Sequence, residues 1–131
     1  MTVAVAHQVS PTSRKALAQA VQEARFRETD LAVIHVVESI DQDTEEAYRA
    51  GISDDIERAV GKDPGVPWRL HLATAGPDLA DALLSQVHSV GADLLVIGAR
   101  RRSPVGKALL GSVAQTVILD AELPVLVVKA P

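Results

Sequence analysis

The sequence predicts an α/β protein: a doubly wound, five-stranded parallel sheet with helices on both faces. Short runs rich in β-branched residues alternate along the chain with longer segments of helical period, which is the pattern of repeated β-α-β units. The apolar fraction of 47% comes mainly from Ala, Val, Leu and Ile, with one Trp, one Tyr and one Phe. An aliphatic core of this kind is typical of parallel strands covered by helices. The length of 131 residues predicts a single domain, residues 1–131.

Two strands and two helices are predicted in the first half of the chain. The run TVAVA predicts strand one at residues 2–6. Ser10 then offers an N-cap oxygen and Pro11 a favourable first residue for helix one. The run LAVIHVV predicts strand two at residues 31–37, and its continuous apolar character indicates burial on both faces. Helix two is predicted at residues 43–61. Its inward stripe is Tyr48, Ile52, Ile56 and Val60.

The second half continues the alternation. Pro77 near its start and Gly91 at its end mark helix three. The run DLLVIG gives the best-defined strand, strand four. The predicted strands are residues 66–74, 92–98 and 123–129, and the predicted helices are residues 76–91 and 111–122. Right-handed crossovers between parallel strands would place helices on both faces of the sheet.

The carboxyl ends of the strands form the edge where a ligand is expected. In open α/β sheets, ligands bind beyond these ends, at the point where the strand order reverses. The segments that would meet there are residues 6–10, 36–39, 73–76 and the stretch from residue 98 onward. His7 lies at the end of strand one and is by position a candidate ligand contact. The other histidines, His35, His71 and His88, are expected to be structural, because their spacing does not match a zinc site.

Composition and missing motifs exclude several functions. The net charge of −4 argues against general binding to nucleic acids or anionic membranes, both of which need a basic surface. The chain has no cysteine and no G-x-S-x-G motif, so we expect neither thiol chemistry nor an enzyme. It has no secretory pattern and no apolar run of the roughly 20 residues that span a bilayer, so we expect a cytoplasmic protein. The acidic residues around helix two are expected on its wet face: Asp41, Asp43, Glu45, Glu46, Asp54 and Asp55.

A basic loop with several glycines follows strand four: GARRRSPVGKALLGS, residues 98–112. Gly98 and Gly106 allow close approach of the backbone to a ligand. The pair Gly111-Ser112 opens helix four, where unpaired N–H groups and the positive end of the helix favour an anion. Positive charge comes from Arg100, Arg101, Arg102 and Lys107. These features together predict a phosphate site.

Two familiar nucleotide loops do not match. A P-loop requires Gly-x4-Gly-Lys-Ser/Thr, but Arg101 stands at the first glycine and Ala108 at the hydroxyl position. A Rossmann fingerprint should follow strand one, where no glycine occurs.

Over essentially its whole length the chain resembles the universal stress protein family. Nucleotide-binding members of that family carry Gly-x2-Gly-x9-Gly-Ser/Thr after strand four. Gly98, Gly111 and Ser112 match this motif, and Arg101 stands at its second glycine. The segments IHVVE, DLLVIG, VGKALLGSVAQTVI and LPVLVVK are also similar to the family. The resemblance implies the Rossmann-like fold of the adenine nucleotide alpha hydrolases.

This resemblance further implies a stress-response function with bound ATP or AMP, no metal site of the protein's own and at most slow ATP hydrolysis. The base would lie near Val36 and the segment that begins at Ala73. The residues expected around the phosphates are Gly98, Arg100, Arg101, Gly106, Lys107, Gly111, Ser112 and Val113. The last strand is an apolar sheet edge, so the resemblance implies a homodimer through Val125 to Val128 that would cover it.

Two positions depart from the nucleotide-binding pattern. The Arg101 side chain would either block the close approach of the phosphates, swing outward, or offer its guanidinium to them. Strand one ends at Ala6 or His7, depending on the alignment, where nucleotide-binding relatives have an aspartate that contacts the nucleoside. Two functions therefore stay open. One is a nucleotide-binding module, and the other is a nucleotide-free stress-response or interaction protein in which the basic loop is a solvated turn.

Overall fold

The computed structural model describes residues 1–8, 10–100 and 111–130. Strands and helices alternate along these residues in the predicted order. The strands are β1 (Thr2–Ala6), β2 (Asp30–Val37), β3 (Trp68–Thr74), β4 (Leu94–Arg100) and β5 (Val125–Ala130). The helices are α1 (Pro11–Phe26), α2 (Glu45–Val60), α3 (Leu79–Ser89) and α4 (Ser112–Asp120). The boundaries shift from the predicted ones by a helical turn or less.

The five strands form one parallel sheet in the order β3-β2-β1-β4-β5. The chain starts in the middle, winds outward to β3, and then crosses back to β4 on the other side of β1. Val5 of β1 pairs with Val33 of β2 and with Val96 of β4, so the first strand is flanked on both sides. The strand order reverses between β1 and β4. The predicted doubly wound parallel sheet is therefore confirmed, and the reversal marks the position expected for a ligand.

Alternating side chains of the sheet enter two separate aliphatic clusters. Val3 and Val5 face α1 and α2, where they join a cluster that includes Leu17 and Ile56. Ala4 points to the opposite face and joins the cluster under α3 and α4. Full burial of one such aliphatic side chain contributes about 1.5–3 kcal/mol. The same alternation decides toward which face of the sheet the side chain of each residue at a strand end points.

Local sequence explains where the helices begin and end. The Oγ of Ser10 accepts a hydrogen bond of 3.1 Å from the backbone N–H of Ser13, and Pro11 is the first helical residue of α1, as predicted. α3 begins at Leu79 because the carboxylate of Asp78 accepts from the backbone N–H of Asp81 at 3.0 Å. Gly91, with φ 66°, lies in the left-handed conformation that glycine favours after a helix.

Two predictions for α2 are wrong. Tyr48 lies on the predicted inward side but is 42% exposed. Asp55 was expected on the wet face, yet it is only 7% exposed. The reason is its place in the helix: Asp55 is next to Ile56 and three residues after Ile52, and both isoleucines are buried in the core.

Candidate functional site

An open cavity of about 380 Å³ lies beyond the carboxyl ends of β1 and β4, at the reversal of strand order. α1, α3 and α4 also contribute to its walls. Its volume lies within the range of small-molecule pockets, about 300–1,000 Å³. The sheet topology therefore produces a cavity at the edge where the sequence predicted one.

The cavity has an apolar side and a polar side. The apolar side comes from strand ends and from α3 and α4: Ala6, Ile34, Val36, Leu83, Ile97 and Val117. The polar side comes from the connection between β1 and α1 and from the start of α1: Gln8, Ser10, Thr12 and Ser13. Such a cavity suits a ligand with an apolar part and a hydrogen-bonding part.

Gly111 brings the start of α4 to the cavity. It is the N-cap of that helix and lines the cavity wall, with Val113 and Ala114 following in the first turn. The first backbone N–H groups of a helix have no partner within the helix and carry partial positive charge. This end of the cavity is therefore suited to an anionic group.

Gly98 has a packing role that the sequence did not reveal. A Cβ at this position would lie 2.8 Å from Cγ2 of Thr12 and 3.0 Å from its backbone oxygen. The missing side chain thus allows the first turn of α1 to contact β4. Gly98 also lines the cavity, as predicted for a residue that a ligand approaches closely.

The structure places the predicted site residues in four different ways. Those that line the cavity are Ala6, His7, Val36, Gly98, Gly111 and Val113. Ala73 lies on β3 and Ser112 is the exposed first residue of α4, and neither is among the lining residues. Arg100 ends β4. Arg101, Gly106 and Lys107 lie outside the described residues.

His7 is buried, and both of its ring nitrogens are within hydrogen-bond distance of other side chains. Its Nε2 lies 2.9 Å from Oδ2 of Asp55, and its Nδ1 lies 2.9 Å from Nδ1 of His35. Oδ1 of Asp55 accepts from Arg14 of α1 at 3.1 Å. The Tyr48 hydroxyl lies 3.4 Å from Nε2 of His35. We call this set, Arg14, Asp55, His7, His35 and Tyr48, the histidine relay.

The carboxylate of Asp55 fixes the direction of the hydrogen bonds in the relay. A carboxylate can only accept, so His7 donates to it through Nε2–H, and in a neutral ring Nδ1 of His7 is then an acceptor. We therefore assign the proton between the two rings to Nδ1 of His35. The remaining nitrogen of His35 accepts from Tyr48. Each contact then has one donor and one acceptor, and all four ring nitrogens are used.

The surroundings shift the pKa of three relay members. Burial, together with the charge of Arg14, lowers the pKa of His7 more than the hydrogen bond and charge of Asp55 raise it. Burial, followed by the charge of His7, lowers the pKa of His35 to about 4. Burial alone would raise the pKa of Asp55, but its hydrogen bonds with His7 and Arg14, together with the charges of these two residues, outweigh burial and keep that pKa below its usual value. At neutral pH, the relay therefore contains neutral histidines and an ionised carboxylate paired with arginine.

Sequence reasoning missed Asp55 and Arg14. A signal for Asp55 was present, because its spacing from Ile52 and Ile56 places it on the buried side of the helix. A buried carboxylate requires partners, and His7 and His35 are the histidines at and near strand ends on the same side of the sheet. This signal could be interpreted only once the order of the strands was known, because His7 and His35 meet only if β1 and β2 are adjacent.

The relay members are joined in a row and do not surround a common point. Among the described residues, no group of three or more His, Cys, Asp or Glu side chains is arranged to hold a metal ion. Within residues 1–8, 10–100 and 111–130, no helix is both long and apolar enough to cross a bilayer.

The fold and the cavity define a doubly wound α/β protein with its candidate site at the topological switch point. The chain belongs to the universal stress protein family, whose model matches residues 1–129. A universal stress protein of Mycolicibacterium smegmatis is 39% identical over 127 residues, which cover 97% of this chain and 96% of the relative.

Solved structures agree with this family assignment. A universal stress protein from Archaeoglobus fulgidus is 32% identical, with a TM-score of 0.78 and coverage of 98% of both chains. A structure of the universal stress protein from Archaeoglobus fulgidus in complex with dAMP is 28% identical, with a TM-score of 0.71 and the same coverage. These similarities confirm the resemblance inferred from the strand-four loop and the flanking strands.

Proposed function

We propose that this universal stress protein is a stress-response module that binds an adenine nucleotide, ATP or AMP, in the cavity at the end of β1 and β4. The observation that carries the proposal is the cavity itself: apolar on the side of the strand ends, polar along the start of α1, and open to the N-terminus of α4. A purine ring suits the apolar side, and a phosphate suits the helix start.

A relative and the loop sequence support this ligand class. The universal stress protein from Archaeoglobus fulgidus was solved with dAMP, an adenine nucleotide, and it is similar to this chain over 98% of its length. In the sequence, Arg101 and Lys107 precede Gly111 and add positive charge before the proposed phosphate position. Arg101 is therefore a proposed phosphate contact or a proposed obstacle to the phosphates. Arg101→Gly distinguishes the two, because it should lower nucleotide affinity in the first case and raise it in the second.

We propose binding without committed catalysis. His7 is the one titratable residue among the described lining residues, and the protein already occupies both of its nitrogens. A general base must reach a proton of the substrate, which His7 cannot do without breaking the relay.

The alternative is a nucleotide-free interaction protein on the same fold. It is favoured by the end of β1, where Ala6 or His7, depending on the alignment, stands in place of the aspartate of nucleotide-binding relatives. In this alternative, the cavity stays empty and the family's stress function depends on protein contacts.

Calorimetry and thermal denaturation with AMP, ADP and ATP test the proposal, together with mass spectrometry of any nucleotide released from the purified protein. Ligand at about 100 times its dissociation constant should stabilise the fold by about 2.7 kcal/mol. Ala6→Leu should abolish binding because it fills the apolar side, whereas Ala47→Leu on the exposed face of α2 should not. Absence of binding by the unmodified protein would favour the alternative function.

We also propose a homodimer through β5. This strand is a sheet edge, and its residues Val125 to Val128 are only half-buried. The N–H of Leu95 donates to the oxygen of Pro124, and alternate residues of a strand bond to the same neighbour. By this alternation, Leu126 and Val128 bond to β4, while Val127 directs its N–H to the open edge.

The dimer proposal has a specific test. Val127→Pro removes a donor from the open edge without removing one from the bonds to β4, so it should convert a dimer to a monomer in sedimentation velocity. Thermal denaturation of the variant checks that the fold is retained. A folded variant that still sediments as a dimer would refute pairing through this edge.

A further inference from the structure

We propose that Asp55 is a positioning residue for the cavity: through His7 and Arg14, it holds the connection between β1 and α1 that forms the polar side of the site. Asp55 is not among the residues that line the cavity. Its effect on a ligand would therefore pass through the residues to which it is bonded. The part of this inference that concerns ligand affinity rests on the proposed function.

The two oxygens of Asp55 join the two ends of this connection. Oδ2 lies 2.9 Å from Nε2 of His7, the residue that directly follows β1. Oδ1 lies 3.1 Å from Nε and from Nη2 of Arg14, which is in the first turn of α1. One carboxylate of α2 thus sets where the strand ends relative to where the helix starts.

Further hydrogen bonds link these two anchors to the cavity wall. The backbone N–H of His7 donates to the oxygen of Ile34 at 2.8 Å, which keeps the residue in register with β2. The backbone N–H of Gln8 donates to Oγ of Ser13 at 2.7 Å, and the N–H of Ser13 donates to Oγ of Ser10 at 3.1 Å. Gln8, Ser10 and Ser13 all line the cavity. A displacement of either anchor would therefore move the polar side of the site.

The relay also makes this wall sensitive to protons. The groups that face the histidine pair are Arg14 from α1 and Asp55 and Tyr48 from α2. One added proton is accommodated on Nε2 of His35 if that contact alone reverses, with His35 then donating to the Tyr48 oxygen. A second proton would place two hydrogens between the Nδ1 atoms of His7 and His35 and would break that contact.

Affinity for AMP in three proteins tests the positioning role. Asp55→Asn keeps the shape of the side chain but removes its charge, so one amide oxygen must serve both His7 and Arg14. We expect at least about fivefold weaker AMP binding, the lower end of typical coupling between sites. Asp54→Asn is the matched control, since Asp54 is the exposed neighbour on the same helix, and it should leave affinity unchanged. Equal AMP affinity in Asp55→Asn and the unmodified protein would overturn the proposal.

Amide NMR on the unmodified protein provides a second readout that does not depend on a variant or on AMP. In an acid titration, the amide signals of Gln8 and Ser13 should move with the same midpoint as the ring nitrogens of His7 and His35. Amides that stay still while the rings titrate would overturn the inference. If the unmodified protein binds no AMP, the proposed function fails, and the positioning role is then decided by these amide signals alone.

Discussion

Acid should destabilise this fold through His35, and the surroundings of that residue set the size of the effect. His35 is 6% exposed on β2, between His7 and Tyr48. Burial and the neighbouring His7 lower its pKa from 6.5 to about 4. A substitution that keeps its hydrogen bond but cannot titrate should therefore change how stability depends on pH.

The sign follows from proton linkage. The pKa of His35 is lower in the folded than in the unfolded chain, so the folded state binds fewer protons between pH 6.5 and 4. The contribution of His35 to the free energy of unfolding is therefore fully present above this range and is lost as the pH falls through it. The difference between the two pKa values corresponds to about 3 kcal/mol of unfolding free energy, of which about 2 kcal/mol are lost between pH 7 and 5. The pKa of His7 and that of His71 are also lowered, so both residues act in the same direction.

His35→Gln isolates the contribution of His35. The glutamine amide can donate to Nδ1 of His7 but does not titrate. Urea denaturation at pH 7, 6 and 5, followed by circular dichroism and the fluorescence of Trp68, gives the free energy of unfolding. Between pH 7 and 5, the unmodified protein should lose about 2 kcal/mol more than His35→Gln. The exposed His88→Gln should behave like the unmodified protein, and equal losses in all three would refute the reasoning.

Two further predictions concern the start of α1. Gly98→Ala should destabilise by about 1–3 kcal/mol, because its Cβ would overlap Thr12, and Thr12→Ala in the same chain should recover part of the loss in urea denaturation. No loss would show that the contact can relax freely. Ser10→Ala should lower the free energy of unfolding by about 0.5–2 kcal/mol through loss of the bond to Ser13, whereas Ser89→Ala, exposed at the end of α3, should have little effect by the same measurement.

Most of the fold was readable from the sequence, because each element carries its own local signal. Ser10 and Pro11 mark the start of α1, Gly91 follows the end of α3, and continuous apolar runs mark the central strands. The alternation of elements then leaves few topologies, since crossovers between parallel strands are right-handed. The predicted boundaries of helices differ from the observed ones where two sequence signals for a helix start compete. At α3, Pro77 suggested an earlier start, but the cap formed by Asp78 sets it.

The sheet edge that carries the cavity was also predictable, but the contacts that form the cavity wall were not. The position of Gly98 after strand four indicated a ligand edge, whereas its contact with Thr12 depends on how α1 crosses β4. The partnership of His7 with Asp55 joins residues that are 48 positions apart. Pattern reasoning placed Asp55 with the exposed acids because their sequence neighbourhood is acidic, and only the packed position of Ile52 and Ile56 shows otherwise.

The alternation of side chains along β1 separates two roles at the end of this strand. Ala6 faces the cavity and the cluster under α3 and α4, whereas His7 turns to α1 and α2 and enters the relay. The two residues are neighbours in the chain, so a ligand that contacts Ala6 is one peptide unit from the relay. Substitutions at Ala6 should therefore act by filling the cavity, and substitutions at His7 by moving its wall. β1 ends without an aspartate, and in the positioning role proposed above the carboxylate of Asp55 on the other face holds the same segment in place.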